Sequence, residues 1–195
     1  MPARFPEFRP GSVLSTAFTG TLTERCGEPV ERIPVPQRLI DWLAMNGLAV
    51  EGCTDAQLFL AHELREAIHL AATAAAVEDT LPRSAVRTIN DRSIRGQSAA
   101  VLTAEGDRRW QLSSTPSVED ALGVIAADAI DVIAGERDGK LALCASPTCR
   151  AAFFDTSQSR SRKWCDMNTC GNRQKKARFI ANQQRRTADR RSREQ

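Results

Sequence analysis

The sequence predicts an α+β protein in two parts, a larger N-terminal domain of helices and hairpins and a small C-terminal module. Apolar residues recur at helical spacing in several segments, short alternating runs flank turn residues, and no strand–helix–strand rhythm joins them. The 195 residues, of which 42% are hydrophobic, suffice for one medium domain and one small one. The composition changes near Asp138, so we place the N-terminal domain at 1–138 and the module at 139–182. Residues 183–195 hold five arginines and no large apolar side chain, which is typical of a basic flexible tail.

Along the N-terminal domain, short β-like pieces in 12–22 predict an edge strand or hairpin. Apolar periodicity then predicts four helices, at 36–46, 54–77, 82–94 and 117–135. Thr54 with Gln57 forms a capping box at the start of the second helix, and Ser117 with Asp120 starts the fourth. One hairpin is also predicted, with strands 99–103 and 109–112 around Gly106.

Charge is distributed unevenly along the chain. From Cys144 to the C-terminus there are 13 Lys or Arg against 4 Asp or Glu, whereas the rest holds 14 basic and 20 acidic residues. The C-terminal part is therefore suited to polyanions. Because no run of about 18 apolar residues occurs, no membrane span is expected. Residues 1–20 do not resemble a secretory signal, so we expect a cytoplasmic protein with reduced cysteines.

Four of the six cysteines lie in the C-terminal module in two close pairs. Cys144 and Cys149 are separated by four residues, as are Cys165 and Cys170, and fifteen residues lie between the pairs. Four thiolates in two close pairs match the tetrahedron that Zn²⁺ prefers, so we expect one structural zinc. Two disulfides or a tetrathiolate iron site would use the same cysteines. We expect a hairpin over 151–164 and a helix beginning near the last cysteine, which is the treble-clef order.

Basic side chains surround the cysteines, and Phe179 and Ile180 follow two of them at helical spacing. This predicts a helix with one face that packs and one charged face, next to a basic hairpin. Such a surface fits the phosphates and grooves of nucleic acid, although basic runs are more often solvated surface or a protein-docking face. The candidate nucleic-acid contacts are Arg160, Arg162, Lys163, Arg173, Lys175, Lys176 and Arg178.

The module closely resembles the CGNR zinc-finger family over about 40 residues. The resemblance rests on the runs Cys-Ala-Ser-Pro-Thr-Cys at 144–149, Phe-Asp-Thr-Ser at 154–157, Arg-Lys-Trp-Cys at 162–165 and Cys-Gly-Asn-Arg at 170–173. It implies a treble-clef finger that binds DNA, joined to an N-terminal ABATE domain that is either a regulatory, ligand-sensing domain or an interaction domain. Such a chain would be a bacterial stress-induced transcription regulator associated with the nucleoid. The Asp-Phe-Val-Asn-Thr-like run of the family has its nearest counterpart at 17–21, which lacks the Asp and the Asn, so no ligand residues are carried over.

Three residues of the Cys-Gly-Asn-Arg run have individual predictions. Gly171 lets the backbone approach the metal site closely, because it has no side chain. Asn172 supports the site by bonding backbone or a cysteine sulfur, or is an ordinary helical residue. Arg173 is the strongest candidate for a phosphate or base contact, and its structural alternative is an ion pair with Asp155 or Asp166.

The function predicted from the sequence is therefore a zinc-finger DNA-binding transcription regulator. A single finger offers few contacts, so a homodimer or a partner is expected, together with a small-molecule effector in the N-terminal domain. The alternatives are an RNA-binding protein and a protein-interaction adaptor whose finger is purely structural. No nucleophile with a local base and no glycine-rich phosphate loop occurs, so no enzyme activity is expected. His62 and His69 are seven residues apart and predict no metal pair.

Overall fold

A computed structural model describes residues 5–193, and over 187–193 it describes the backbone alone. Its elements are α1 (Leu14–Thr19), β1 (Leu22–Thr23), β2 (Val30–Glu31), α2 (Pro36–Met45), α3 (Asp55–Ala76), α4 (Arg83–Arg95), β3 (Ser98–Leu102), β4 (Arg108–Leu112), α5 (Val118–Ile133), β5 (Lys140–Leu143), β6 (Ala152–Asp155), a π-turn (Met167–Gly171) and α6 (Asn172–Arg193). Within these residues the strands form three separate antiparallel pairs. This mixture of helices and hairpins, with a cysteine module at its end, confirms the α+β class.

The core of the N-terminal domain lies between α3 and α5, with α1 and α4 packed against them. Leu64 of α3 and Leu122 and Ile125 of α5 are fully buried. Phe18 and Trp42 extend this core, with their ring centroids 5.1 Å apart. Burying each large apolar side chain stabilises the fold by about 1.5–3 kcal/mol, so these helices are held mainly by packing.

Both predicted N-caps are present. The Thr54 hydroxyl accepts from the Gln57 amide at 3.2 Å, and the Gln57 side chain accepts from the Thr54 amide at 2.8 Å. Ser117 and Asp120 exchange the equivalent pair of bonds at 3.2 and 3.1 Å. The helices predicted at 36–46, 54–77, 82–94 and 117–135 and the hairpin around Gly106 are likewise confirmed, with ends shifted by one or two residues.

The prediction of β structure over 12–22 is wrong for most of its length. Residues 14–19 form α1, and pairing begins only at Leu22, opposite Glu31. The short helix is fixed by tertiary contacts, because five of its six residues are buried and the Ser15 amide donates to the Asp128 carboxylate at 2.7 Å. Burial of this kind outweighs the local β preference of the sequence.

The hairpin of the C-terminal module is also placed differently from the prediction. The prediction put it over 151–164, between the two cysteine pairs, whereas β5 pairs with β6 and encloses the first pair. Leu141 and Phe154 are opposite each other in this hairpin and pack with Ala72 of α3 and Val132 of α5. The composition boundary near 138 is therefore not a gap in packing, since one apolar cluster joins the module to the N-terminal domain.

The last helix is longer than the module predicted from the sequence. The prediction ended the module at 182 and made 183–195 a flexible tail, but α6 continues through Arg193. The segment is rich in Arg, Gln and Ala, which are good helix formers, and has neither Gly nor Pro to stop it. Residues 194 and 195 lie outside the described residues.

Candidate metal centre and nucleic-acid interface

The four cysteines of the C-terminal module meet at one point. Cys144 follows β5, Cys149 precedes β6, Cys165 lies in the loop after β6, and Cys170 is in the π-turn. Their sulfur atoms all lie within 4.8 Å of one another, and three of the four residues are fully buried. The Cys149–Cys165 and Cys165–Cys170 sulfur distances are 3.6 and 3.7 Å. This places one ligand from each of four chain segments around a single centre.

These distances fit a tetrahedral zinc. Zinc–sulfur bonds of about 2.3 Å place the sulfurs of a tetrahedron about 3.8 Å apart. A disulfide would bring two sulfurs to about 2.05 Å, so the arrangement is not a pair of disulfides. All four positions would be occupied by protein, which leaves none for substrate and makes the zinc structural. Cys26 and Cys53 lie outside this cluster.

Backbone hydrogen bonds shape the first cysteine pair into a tight knuckle. The Cys149 and Arg150 amides donate to the Ser146 carbonyl at 3.2 and 3.1 Å, and Arg150 adopts a φ of 49°. The Cys144 amide donates to the Ala151 carbonyl at 2.9 Å, which closes the hairpin behind the knuckle. Such turns aim the two sulfurs at the same point.

Hydrogen bonding and burial shift the pKa values of Cys144, Cys165 and Cys170 in different directions. Hydrogen bonds from Cys149 and Cys165 lower the pKa of Cys144, whereas hydrogen bonding with Cys144 and Cys149 raises the pKa of Cys165. Burial raises the pKa of Cys170. A divalent cation would displace protons from these thiols, because it binds thiolates.

The π-turn that carries Cys170 is capped by Asp166. Its carboxylate accepts from the Asn168 amide at 3.0 Å and from the Thr169 hydroxyl, and its carbonyl accepts from the Gly171 amide at 3.1 Å. A Cβ on Gly171 would lie 2.9 Å from the Met167 sulfur, so a side chain there would require the flexible Met167 side chain to move. The atoms closest to this position of Gly171 therefore belong to the side chain of Met167, in the same turn.

Asn172 bonds the backbone, which was one of the predicted alternatives. Its side-chain amide donates to the Asn168 carbonyl at 3.2 Å, one turn earlier, and the residue is exposed. This bond satisfies a carbonyl where the π-turn passes into α6. Asn172 therefore supports the start of α6.

The loop between β6 and Cys165 is organised by a buried carboxylate. Asp155 accepts from the Ser157 amide and the Arg162 amide, both at 2.9 Å. Burial opposes its ionisation, but these hydrogen bonds keep the pKa of Asp155 below its usual value. The carboxylate thus fixes both ends of the polar loop 156–162, and it does not pair with Arg173.

The three basic residues of this loop that were predicted to contact nucleic acid differ in whether their charged head groups already contact protein. Arg160 forms an ion pair with Asp138. Arg162 donates to the Cys165 carbonyl at 3.1 Å, and its guanidinium lies 5.4 Å from the Phe153 ring centroid. Lys163 is exposed, and its carbonyl accepts from the Ala145 amide at 2.8 Å. Of the three, only Lys163 presents its charge to solvent without a protein contact at its head group among the described residues.

Arg173 is held by the N-terminal domain. Its guanidinium donates to Glu24 at 2.6 Å and to the Thr148 hydroxyl at 3.1 Å, and that hydroxyl donates to Glu24 at 2.7 Å. The Cys26 amide donates to the Thr148 carbonyl at 3.0 Å, beside the same contact. The predicted structural partners, Asp155 and Asp166, are therefore wrong, and the partner is Glu24. We call the group of Glu24, Thr148 and Arg173 the clasp.

Glu24 is suited to this role. It is buried and has a φ of 57°, a left-handed conformation that is uncommon outside glycine. Burial opposes its charge, but hydrogen bonds from Arg173 and Thr148 lower the pKa of Glu24 below its ordinary value. The ionised carboxylate therefore joins the knuckle and the start of α6 to the N-terminal domain. Sequence reasoning missed this residue, which lies 149 positions before Arg173.

The middle of α6 contains no buried residue. Every residue from 175 to 186 is exposed, including Lys175, Lys176 and Arg178. Phe179 and Ile180 were predicted to form the packing face of the helix, but they are 64% and 43% exposed. That prediction is wrong, because α6 leaves the cysteine cluster before reaching them.

Three polar residues of α3, among them the two histidines noted in the sequence, lie against other parts of the N-terminal domain. His62 contacts the Ile33 carbonyl at 2.9 Å. Burial, with the Arg25 charge nearby, lowers the pKa of His69 to about 4. Arg65, which is almost inaccessible, forms ion pairs with Glu31 and Glu66 at 2.7 and 3.0 Å. His62 and Arg65 thus connect α3 to residues 31–33, at and after β2.

Comparison with known families gives two matches that together cover most of the chain. Residues 12–136 match the model of ABATE, described as "Putative stress-induced transcription regulator". Residues 140–183 match the model of the CGNR zinc finger. No curated protein matches the chain. Within the described residues, no helix is both long and apolar enough to cross a membrane.

Proposed function

The chain belongs to the ABATE family and carries a CGNR zinc finger, and from this premise we propose that it regulates transcription by docking α6 on duplex DNA. In this proposal the finger makes the contact and the N-terminal domain positions it. The chain acts near the chromosome in the cytoplasm, and no catalysis is assigned to it.

The observation that carries the proposal is the exposed basic surface of α6. Residues 172–186 include six Lys or Arg and no Asp or Glu, and all residues from 175 onward in this span are exposed. A helix without an apolar face against a core gains little stability from packing and is suited to an external partner. Its charge selects a polyanion, and an α-helix fits the major groove of DNA.

Zinc supports this role by fixing the start of the helix. The knuckle inside β5–β6, followed by a ligand in the turn that opens α6, supports the treble-clef assignment. The residues that would hold the metal are Cys144, Cys149, Cys165 and Cys170. When bound, it supplies a rigid joint between hairpin and helix, and the clasp ties that joint to the N-terminal domain.

The phosphate contacts are assigned to the cations that the fold leaves free. Lys175, Lys176 and Arg178 on α6 and Lys163 beside it are the leading residues, whereas Arg160 and Arg162 would first have to leave their present contacts. Arg173 is assigned to the clasp. One helix buries little surface, so a homodimer or a partner protein would supply the remaining affinity, and an effector would act through the N-terminal domain.

The proposal is tested by fluorescence anisotropy of the zinc-loaded chain with mixed-sequence duplex DNA, single-stranded DNA and RNA over a salt series. We expect duplex binding that weakens with salt. Changing Lys175, Lys176 and Arg178 to Ala removes three cations and should reduce the slope of log affinity against log salt by about 3. The matched control changes Arg83, Arg87 and Arg95 of α4 to Ala, and its slope should stay near that of the wild type.

Two results would replace the proposal. A clear preference for RNA would support the RNA-binding alternative. Absent or salt-insensitive binding that the α6 changes leave unaltered would favour the adaptor alternative. The clasp favours the adaptor over the RNA-binding alternative, because through it the finger contacts the N-terminal domain of its own chain.

A further inference from the structure

We infer that the middle of α6 recognises A·T base pairs in the major groove, through apolar contacts of Phe179 and Ile180 with thymine methyl groups and through hydrogen bonds of Asn182 and Gln184 with adenine. The inference rests on the proposed function, since it assumes that α6 docks on duplex DNA. It goes further by naming the base pairs that the helix prefers and the atoms that it contacts.

Phe179 and Ile180 are in an unusual place for large apolar side chains. They are adjacent, 64% and 43% exposed, and belong to none of the apolar clusters formed by the described residues. Their neighbours from 175 to 186 are all exposed as well, so they do not stabilise the fold of the single chain. Exposed apolar groups surrounded by polar ones are characteristic of contact surfaces.

Charge decides what kind of molecule covers them. The six cations of 172–186 face no acid within that span, so a second α6 laid against the first would bring two cationic helices together. Duplex DNA offers phosphates to the cations and an apolar group inside the groove, the thymine methyl. It therefore matches both the basic and the apolar side chains of the same helix.

The polar residues that follow match the other base of the same pair. Asn and Gln side chains bond the N6 and N7 atoms of adenine in two places at once. Asn182 is three residues after Phe179, and Gln184 is four residues after Ile180, so each polar side chain shares a face with an apolar one. The span from 179 to 184 rises about 7.5 Å, close to two base-pair steps of about 3.4 Å.

The same span of α6 has no side chain suited to the cytosine of a G·C pair. No acid lies within 172–186 to accept a hydrogen bond from the cytosine amino group. Arg173, whose fork would suit guanine, is engaged in the clasp with Glu24. Uracil lacks the thymine methyl group, and side chains cannot reach the bases in the narrow major groove of an RNA helix. Recognition of this kind therefore also favours DNA over RNA.

The experiment removes single chemical groups from the DNA. The full-length zinc-loaded chain is titrated against a duplex of about two helical turns made of A·T pairs in mixed order. It is then titrated against the same duplex with deoxyuridine for thymidine, and against one with 7-deazaadenine for adenine. We expect deoxyuridine to weaken binding about fourfold for each methyl that α6 contacts. Loss of the adenine N7 should weaken it further.

Two variants connect these losses to the helix. The double variant F179A/I180A should bind thymine and uracil duplexes equally while its salt dependence stays that of the wild type. The double variant N182A/Q184A should lose its response to 7-deazaadenine and keep its response to deoxyuridine. The positions are exposed, so circular dichroism and zinc content should match the wild type and exclude a folding defect.

The outcomes separate this inference from the proposed function. If the wild type binds thymine and uracil duplexes equally but in a salt-dependent way, the inference is overturned and DNA docking stands. A thymine preference that persists in F179A/I180A would also overturn it, because another surface would then read the methyl. If no duplex is bound at all, both the inference and the proposed function fail.

Discussion

Helices α5 and α6 are held in place by different interactions. Of the 16 residues of α5, 11 are buried, and Leu122 and Ile125 lie fully inside the core. In α6 every residue from 175 to 186 is exposed, and the helix is tied to the body at its start by the π-turn and the clasp. Packing thus secures α5 along its length, whereas α6 depends on the metal centre and on one ion pair. The stability of the fold and the contact surface are therefore located in different helices.

The strongest test of this contrast is removal of the metal. Zinc binding to small cysteine modules contributes about 10–16 kcal/mol of apparent free energy at neutral pH, which is mostly folding energy. Chelation should therefore abolish amide-exchange protection over 140–171 and leave α3 and α5 protected, as measured by hydrogen exchange with mass spectrometry. The same protein should hold one zinc per chain before chelation.

Cysteine variants provide the control for that experiment. Cys170→Ser should lose zinc, whereas Cys26→Ser and Cys53→Ser should keep it, because these two cysteines lie outside the cluster. Unchanged protection over 140–171 in the chelated protein would mean that packing on α3 and α5 suffices to fold the finger. The contrast between the two helices would then no longer rest on the metal.

One substitution made at two places sharpens the contrast. Ile125→Ala in α5 leaves a cavity in the core and should lower the free energy of unfolding by about 2–5 kcal/mol. Ile180→Ala in α6 removes the same atoms from a 43% exposed position and should change it by less than about 0.5 kcal/mol. Urea unfolding followed by circular dichroism measures both. A large loss at Ile180 would show that α6 packs on a surface, in the same chain or in a second copy.

The parts of this architecture that the sequence predicts are the ones set by nearby residues. The capping boxes at Thr54 and Ser117 involve residues three positions apart, and the four ligands form two pairs with four residues between members. Features of this kind depend only on residues that are close in the sequence. The helices of the N-terminal domain and the four cysteines of the metal site are therefore predicted correctly.

The parts that the sequence does not predict depend on distant partners. The helix α1 is stabilised by burial and by Asp128, more than a hundred residues later. The clasp joins Glu24 to Arg173 across 149 positions, and no local pattern marks either residue as half of a pair. The hairpin was predicted in the wrong place because Phe153 and Phe154 suit a strand that pairs with either the preceding or the following segment. Packing of Phe154 against Ala72 and Val132 favours pairing with the preceding strand, β5.

A smaller effect is expected from pH, and it belongs to the packed part of the molecule. Burial and the Arg25 charge lower the pKa of His69 from 6.5 to about 4. The unfolded chain therefore binds a proton here before the folded chain does, and stability falls as the pH drops from 6.5 towards 4. Between pH 7 and 5 the loss should be about 2 kcal/mol, with His69→Gln showing a correspondingly flatter profile. Equal pH profiles for the two proteins would show that the imidazole is solvated in the folded state.

The smallest expected effect comes from the clasp, which is the one side-chain ion pair between α6 and the N-terminal domain among the described residues. A double-mutant cycle with Arg173→Ala and Glu24→Gln should give a coupling of about 1 kcal/mol, a modest value because the Arg173 side chain is 45% exposed. The folded-state pKa of Glu24 is lowered, so the coupling should be present above about pH 4.5 and be lost as the pH falls through that folded-state pKa. The same variants decide what Arg173 does on DNA. If it serves the clasp alone, Glu24→Gln should leave duplex affinity unchanged. If releasing Arg173 tightens binding, Glu24 instead keeps Arg173 from contacting DNA. This single ion pair would then control how strongly α6 binds the duplex.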